Sequence, residues 1–249
     1  MTKSPHLIEE TNLSAAWRSA LNSIAYGSGH ELTPLLLTLT GFEECDETRK
    51  ALDLHLKANK LATIQTVSET IFPDSLYNFY GKDRNKLYSE YLRNLPRLKK
   101  IDKTNAKGTY FQRLIAYEGA EKNINQLEII ISSLASKNIK RRSKLQASLF
   151  DPTKDHTNGM FQGFPCLQHV TFYVSENNGL ILNSFYAIQY LYQRGYGNWL
   201  GLINLGKFVA NELNMDFERF NCYIGVEKLD HLTKVQAKAL LANLPNNQS

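Results

Sequence analysis

Cysteine is scarce in this chain of 249 residues: there are three, Cys45, Cys166 and Cys222, an odd number at wide spacing. That excludes a disulfide framework and the paired spacing of a zinc site, and it points to a reducing cytoplasm. Long apolar runs are lacking too. No window approaches the roughly 18 uninterrupted apolar residues that cross a bilayer, and Met1 to Glu10 holds no apolar stretch of signal-peptide length. An excess of one charge is missing, since 29 Lys plus Arg stand against 24 Asp plus Glu, a formal net charge of +5. Such a charge suits an anionic ligand and is no nucleic-acid signature. Repeats and low-complexity stretches are absent, and only the ends, 1–12 and 243–249, read as flexible. What is present is a chain 43% hydrophobic, long enough to bury one large core. The expectation is a single cytoplasmic domain over 1–249, with no membrane contact, no nucleic acid and no metal.

Periodicity supplies the elements. Ile124, Leu127, Ile130, Ile131 and Leu134 recur at helical spacing, and Asn123 followed three residues later by Gln126 reads as a capping box. Leu145, Ala147 and Leu149 alternate with Lys144, Gln146 and Ser148, the period of a half-buried strand ended by Asp151-Pro152. Leu167 to Val174 and Leu180 to Tyr192 read as a hairpin around Ser175-Glu176-Asn177-Asn178-Gly179. Leu202, Leu205, Phe208, Val209 and Leu213 return to the helical period, so Trp199 to Leu213 is expected as a buried helix. Glu47 to Lys60 and Asp83 to Leu98 read as amphipathic helices, and Trp17 to Ile24 as a short one. The predicted class is α+β, a mixed sheet packed against helices.

One thiol is placed where a nucleophile could sit. Gly163-Phe164-Pro165-Cys166-Leu167-Gln168 sets Cys166 just after a proline, at the mouth of a strand and downstream of the cations Lys140-Arg141-Arg142-Ser143-Lys144. A thiolate attacks electron-poor carbon well when nearby cations or amide dipoles lower its pKa. An isolated cysteine is more often an inert core residue. The basic runs Arg93 to Lys107, with Lys103, and Lys137 to Lys144 read first as solvated faces.

Read in order, several segments resemble the thymidylate synthase family. Gly108-Thr109-Tyr110-Phe111-Gln112-Arg113 looks like its Gly-Pro-Val-Tyr-Gly-x-Gln-Trp-Arg segment, and Asn123-Ile124-Asn125-Gln126-Leu127 like its Ile-Asp-Gln-Leu helix start. Arg141 and Arg142 fall at its Ser-Arg-Arg pair, Ser148 to Pro152 at its Ala-Trp-Asn-Pro strand end, and Pro165-Cys166 with Phe172-Tyr173-Val174 at its Pro-Cys-His and Gln-Phe-Tyr-Val. The resemblance covers residues 60 to 230 and rests on the order of many weak pieces.

The resemblance implies that Cys166 adds to C6 of a pyrimidine nucleotide, making C5 nucleophilic toward a one-carbon unit from methylene-tetrahydrofolate. It makes Tyr110 and a carboxylate the other catalytic residues. The family's glutamate lies seven residues before a glycine, which here is Asp74 before Gly81, with Glu69 upstream; an ordinary helix start explains Asp74 as well. In a homodimer with shared sites, Arg141 and Arg142 would grip phosphate across the dimer. Two registers compete for the remaining contacts. One places Tyr186-Ala187-Ile188-Gln189 at the family's Tyr-Gln-Arg-Ser, with Asn198 reading the base and no arginine nearby. The other matches Leu191-Tyr192-Gln193-Arg194 and Leu200-Gly201-Leu202, with Arg194 on phosphate and Asn204 near the base. A helix cap is the alternative role for Asn198.

Some positions depart from the family. Leu167 replaces its histidine, and Gly225 and Glu227 replace a His-x-Tyr pair that contacts water and sugar. Leu37-Thr38-Leu39-Thr40 lacks its folate-facing cations, and the chain ends at Ser249, short of its closing C-terminal tail, which puts folate use in doubt. Besides the one-carbon transferase, two other functions fit: a folate-independent pyrimidine nucleotide N-glycoside hydrolase and a catalytically inactive nucleotide-binding homologue.

Overall fold

Alternating apolar residues in five segments and two apolar crossover helices set the architecture. The computed structural model describes residues 4–101, 105, 107–119, 122–136, 141–158 and 165–245. Gly163 and Phe164 of the thiol segment, and Lys103 and Lys137 to Lys140 of the basic runs, lie outside the described residues. In chain order the first half holds β1 (His6–Asn12), α1 (Leu13–Tyr26), β2 (Glu31–Leu32), β3 (Leu35–Glu43), α2 (Asp46–Ala58), α3 (Ile64–Glu69), α4 (Asp74–Phe79) and α5 (Arg84–Ile101). The second half holds α6 (Tyr110–Ile115), β4 (Tyr117–Glu118), β5 (Asn123–Ile124), α7 (Gln126–Ala135), β6 (Gln146–Ser148), α8 (Pro152–Asp155), β7 (Leu167–Val174), β8 (Leu180–Tyr190), α9 (Tyr196–Glu212), β9 (Phe217–Lys228) and α10 (Lys234–Asn243).

The main sheet has the order β1-β3-β9-β8-β7-β6, with β2 also on β9. β1/β3 and β8/β9 are parallel, and β3/β9, β7/β8 and β6/β7 are antiparallel. Each parallel pair needs a crossover, supplied by α1 in one case and α9 in the other. Both helices cover the same face: Ser14 and Tyr196 share a hydroxyl hydrogen bond of 2.7 Å, and Trp17 Nε1 donates to the Leu191 carbonyl at 3.1 Å. Beneath them Leu37 and Leu39, Phe220 and Cys222, Leu182 and Ser184, and Val170 and Phe172 point inward. The expected class, a mixed sheet packed against helices in one domain, is the observed one.

α3 lies unusually close to α9. A Cβ at Gly197 would sit 2.6 Å from Val67 Cβ, and one at Gly201 would sit 2.7 Å from the Ser68 carbonyl oxygen, so only glycine admits the approach. That contact brings the Thr66 and Thr70 side of α3 to the start of α9. No helix among the described residues is long and apolar enough to cross a membrane.

Several boundaries differ from expectation. The N-terminal segment expected to be flexible forms β1 over His6–Asn12, ordered by pairing with β3, and Asn12 caps α1 by accepting from Ala15 N–H. At the other end Asn243 closes α10, Leu244 is buried and the Pro245 carbonyl accepts from Arg18; 246–249 lie outside the described residues. The capping box at Asn123 does not form. Asn123–Ile124 pairs with Tyr117–Glu118 instead, Asn125 caps α7, and the Gln126 amide bridges the Arg113 carbonyl and the Ser148 backbone. β8 stops at Tyr190, and Leu191–Gly195 is a π-helical turn leading into α9.

Candidate functional site

Strand pairing puts the thiol in place. Ala187 N–H on β8 donates to the Cys166 carbonyl at 3.2 Å, which holds Cys166 at the entry of β7 beside the end of β8. The π-helical turn after β8, a local distortion frequent at functional sites, carries Gln193 and Arg194. Across from it α3 presents Thr66 and Thr70, one helical turn apart on one face, and α6 presents Tyr110, whose hydroxyl oxygen accepts weakly from Leu167 N–H at 3.5 Å. These groups, with Gln189 and Asn198, line a cavity of about 250 Å³, near the low end of small-molecule sites.

Of the residues expected from sequence, Cys166, Tyr110, Gln189, Arg194 and Asn198 therefore meet. The cavity takes Arg194, named by one register, and Asn198 and Gln189, named by the other, and Asn204 does not line it. Asn198 is not a cap, because α9 begins at Tyr196 and Asn198 falls inside its first turn.

Asp74 does not join them. It sits in the first turn of α4 and accepts from Asn78 Nδ2 at 2.9 Å, so the helix-start explanation holds. Burial and then Glu69 raise its pKa. Glu69 is held by Ser75, whose hydroxyl donates at 2.7 Å, and it lines a second cavity rather than the first. Arg141 and Arg142 are exposed and away from the cavity in the single chain, the Arg142 guanidinium lying over the Tyr173 ring at 4.8 Å.

The thiol's electrostatics reverse one expectation. Burial pushes the Cys166 pKa up, and Arg194 only opposes that rise. Burial likewise raises the Tyr110 phenol, keeping it neutral. Arg194 itself has no carboxylate partner among the described residues. It is an unpaired cation facing a concave site, an arrangement that suits a phosphate.

Sequence reading named Gln189 and Glu227 but not their burial without partners among the described residues. Gln189 is 2% exposed and Glu227 0%, and both side-chain polar atoms of each lack partners among the described residues, as do Tyr186 Oη and Trp199 Nε1. Leaving such groups unpaired costs about 1–3 kcal/mol each. Burial, and secondarily Asp230, raises the Glu227 pKa well above its ordinary value. The signal was present in the strand pattern: buried positions step by two through Ser184 and Tyr186 and through Cys222 and Ile224, then by three to Gln189 and Glu227. Thr66 and Thr70 were also missed, although their spacing of four marks one helix face.

The second cavity, about 710 Å³, adjoins the first and shares Thr66, Thr70, Asn105 and Thr109 with it. Leu76, Phe79, Tyr91, Leu98 and Ile101 give it apolar walls. No group of three or more His, Cys, Asp or Glu side chains among the described residues is arranged to hold a metal ion. No family model and no curated protein matches the chain, so the site stands on its own geometry.

Proposed function

We propose that the chain is an enzyme of pyrimidine nucleotides, a thymidylate synthase-like transferase adding a one-carbon group at ring C5 through a covalent Cys166 adduct at C6. One observation carries the reading: a thiol, an unpaired guanidinium and two carboxamides line the same cavity. Arg194 would hold the phosphate, and the Gln189 and Asn198 amides the donor–acceptor edge of the base. Sulfur, having lost its proton, bonds to C6 while the C5=C6 electron pair shifts toward the C4 oxygen as an enolate. C5 then attacks a one-carbon electrophile and loses its own proton, and expulsion of the thiolate restores the ring. Because burial keeps the thiol protonated at rest, ionisation accompanies ligand binding, with Arg194 stabilising the thiolate.

The apolar walls of the second cavity fit a pteridine-sized ring, but its described lining has no cation for the acidic tail of methylene-tetrahydrofolate. No step is assigned to that group. A second copy would pair on the open sheet face, where Phe185 and Tyr223 stack at 5.3 Å and remain 38% and 42% exposed. Arg142 lies on this side, over Tyr173, as a phosphate grip shared across a dimer requires.

A nucleotide-binding role without turnover is the second reading. It is favoured by the neutral thiol and by the absence of a carboxylate among the described residues lining the cavity. Mass spectrometry after incubation with 5-fluoro-dUMP or 5-fluoro-CMP, with and without methylene-tetrahydrofolate, separates the two. The transferase reading expects an adduct on Cys166 that Cys166→Ala abolishes. Tight binding that survives Cys166→Ala, with no adduct and no turnover, selects the second.

A further inference from the structure

The turn that carries Arg194 is gripped at two points. Where β8 ends at Tyr190, the π-helical turn Leu191–Gly195 starts with no side-chain cap from Tyr190, and the first N–H groups of a helical turn have no partner within it. One partner comes from far along the chain: Tyr192 N–H donates to Asp230 Oδ1 at 3.0 Å. Asp230 stands just past β9, next to Leu229, whose N–H donates to the His30 carbonyl at 2.9 Å. The second grip is on the side chain. The Tyr192 hydroxyl meets His55 Nδ1 of α2 at 2.7 Å and accepts from Asn59 Nδ2 at 3.3 Å. Tyr192 is thus fixed through both its backbone and its phenol, two residues before Arg194.

We propose that Asp230 and the Tyr192 hydroxyl are positioning groups that clamp the π-helical turn and so hold the Arg194 guanidinium in the cavity beside Cys166. The inference rests on the reading of that cavity as one that joins a thiol to a cation, and names what keeps the two together. A single π-helical turn makes few bonds of its own, so contacts from outside decide where its side chains point. Neither group lines the cavity. Their effect on the thiol is therefore indirect, and its sign separates it from a direct charge effect. Taking away the Asp230 anion would by itself make the sulfur easier to ionise. Letting Arg194 drift makes it harder, because Arg194 is the group that opposes the upward pKa shift of Cys166.

The test is the pH midpoint of iodoacetamide alkylation of Cys166, read by mass spectrometry of its peptide, with a thermal melt of each protein. The proteins are the parent, Tyr192→Phe, Asp230→Ala, Asp230→Asn, Arg194→Met and the double variant Asp230→Ala/Arg194→Met. A change in access scales the rate at every pH and leaves the midpoint alone. Asp230, raised to about 6, is ionised throughout the range. Arg194→Met sets the full effect, a rise of about one pH unit, the lower end for withdrawing an opposite charge. Asp230→Ala is expected to show about half of that rise or more, and Tyr192→Phe a rise in the same direction. Asp230→Asn keeps an acceptor for Tyr192 N–H and holds the parent's midpoint or a lower one. The double variant rises no further than Arg194→Met alone. Tyr192→Phe removes one oxygen and keeps the ring, so it folds and decides the matter even where Asp230→Ala does not fold. An unchanged or lowered midpoint in Tyr192→Phe or in folded Asp230→Ala, a rise in Asp230→Asn equal to that in Asp230→Ala, or additive rises in the double variant would overturn the clamp and leave the cavity reading intact. An Arg194→Met midpoint equal to the parent's separates the cation from the thiol and overturns the cavity reading itself.

Discussion

The two faces of the sheet treat polar side chains in opposite ways. On the open face Thr38 Oγ1 donates to Asn221 Oδ1 at 3.0 Å, Asn221 Nδ2 to Asn183 Oδ1 at 2.8 Å, and Asn183 Nδ2 to Thr171 Oγ1 at 3.1 Å. Four strands are thus laced by groups that water would have satisfied unaided. On the covered face Tyr186, Gln189, Glu227 and Trp199 are cut off from water and left unpaired among the described residues. Of these four, Gln189 alone lines the cavity that holds Cys166, where a polar ligand would reach it.

The largest effect separating the faces is expected at Arg194, on the covered side. Arg194→Met should weaken binding of a pyrimidine nucleoside monophosphate by about 10- to 100-fold, the range of one charged hydrogen-bonding contact, while scarcely changing binding of the nucleoside. Titration calorimetry with both ligands measures this, and equal losses for the two would remove Arg194 from phosphate recognition. The same change takes away the group that opposes the upward pKa shift of Cys166. Iodoacetamide alkylation of Cys166 should therefore need a higher pH in the variant than in the parent.

Next in size is the helix contact that walls the cavity. Gly197→Val places carbon where Val67 already stands, 2.6 Å from the Cβ position. Overpacking of this kind costs about 1–3 kcal/mol, and helix propensity returns only a few tenths of that. A lowered urea midpoint with unchanged slope is expected; an unchanged midpoint would mean that α3 moves freely and is no fixed wall.

How far the sequence announced these two faces depends on the range of the interaction. The β7/β8 hairpin, the β6 alternation and the apolar run of α9 were legible because periodicity and a turn are local signals. β1 and β9 were not, since β1 is held by pairing with β3 and β9 lies between β3 and β8 in the sheet. Within the site, Cys166 and Tyr110, singled out from motif order, line the same cavity. Arg194 and Asn198 each appeared in one register only, and the fold brings both to one cavity. Asp74 does not line the cavity, since a spacing of seven from a glycine says nothing about where α4 points. Glu227 was noticed as a departure, but its lack of a partner is a three-dimensional fact.

The pH dependence of stability tests the unpaired acid. Burial raises Asp230 to about 6 and raises Glu227 from its ordinary value. The folded chain then keeps protons that the unfolded chain releases from about pH 4 upward. Stability is complete below the unfolded values and is lost as pH rises through the folded ones, by up to about 1.4 kcal/mol per pH unit for each group. Urea midpoints should fall between pH 5 and pH 7, and in Glu227→Met the fall should shrink to the share of Asp230. A midpoint that rises over this range, or a decline untouched by Glu227→Met, would show that Glu227 is ionised in the fold.

The smallest effect is expected on the open face. Asn183→Ala removes the central link of the polar row, a donor to Thr171 and an acceptor from Asn221. Both neighbours are half-buried, so water replaces the lost partner and the cost stays near 0.5–1 kcal/mol, the lower range for a hydrogen bond. This holds while the face is wet. If a second copy covers it, the same deletion strands two polar groups at a dry interface and the cost grows to about 1–3 kcal/mol. It also becomes dependent on protein concentration, because association stabilises the fold by mass action. Denaturation of parent and Asn183→Ala across a hundredfold range of concentration therefore reads the state of the open face: a constant small difference belongs to a face exposed in solution, and a difference that widens with concentration belongs to one that pairs.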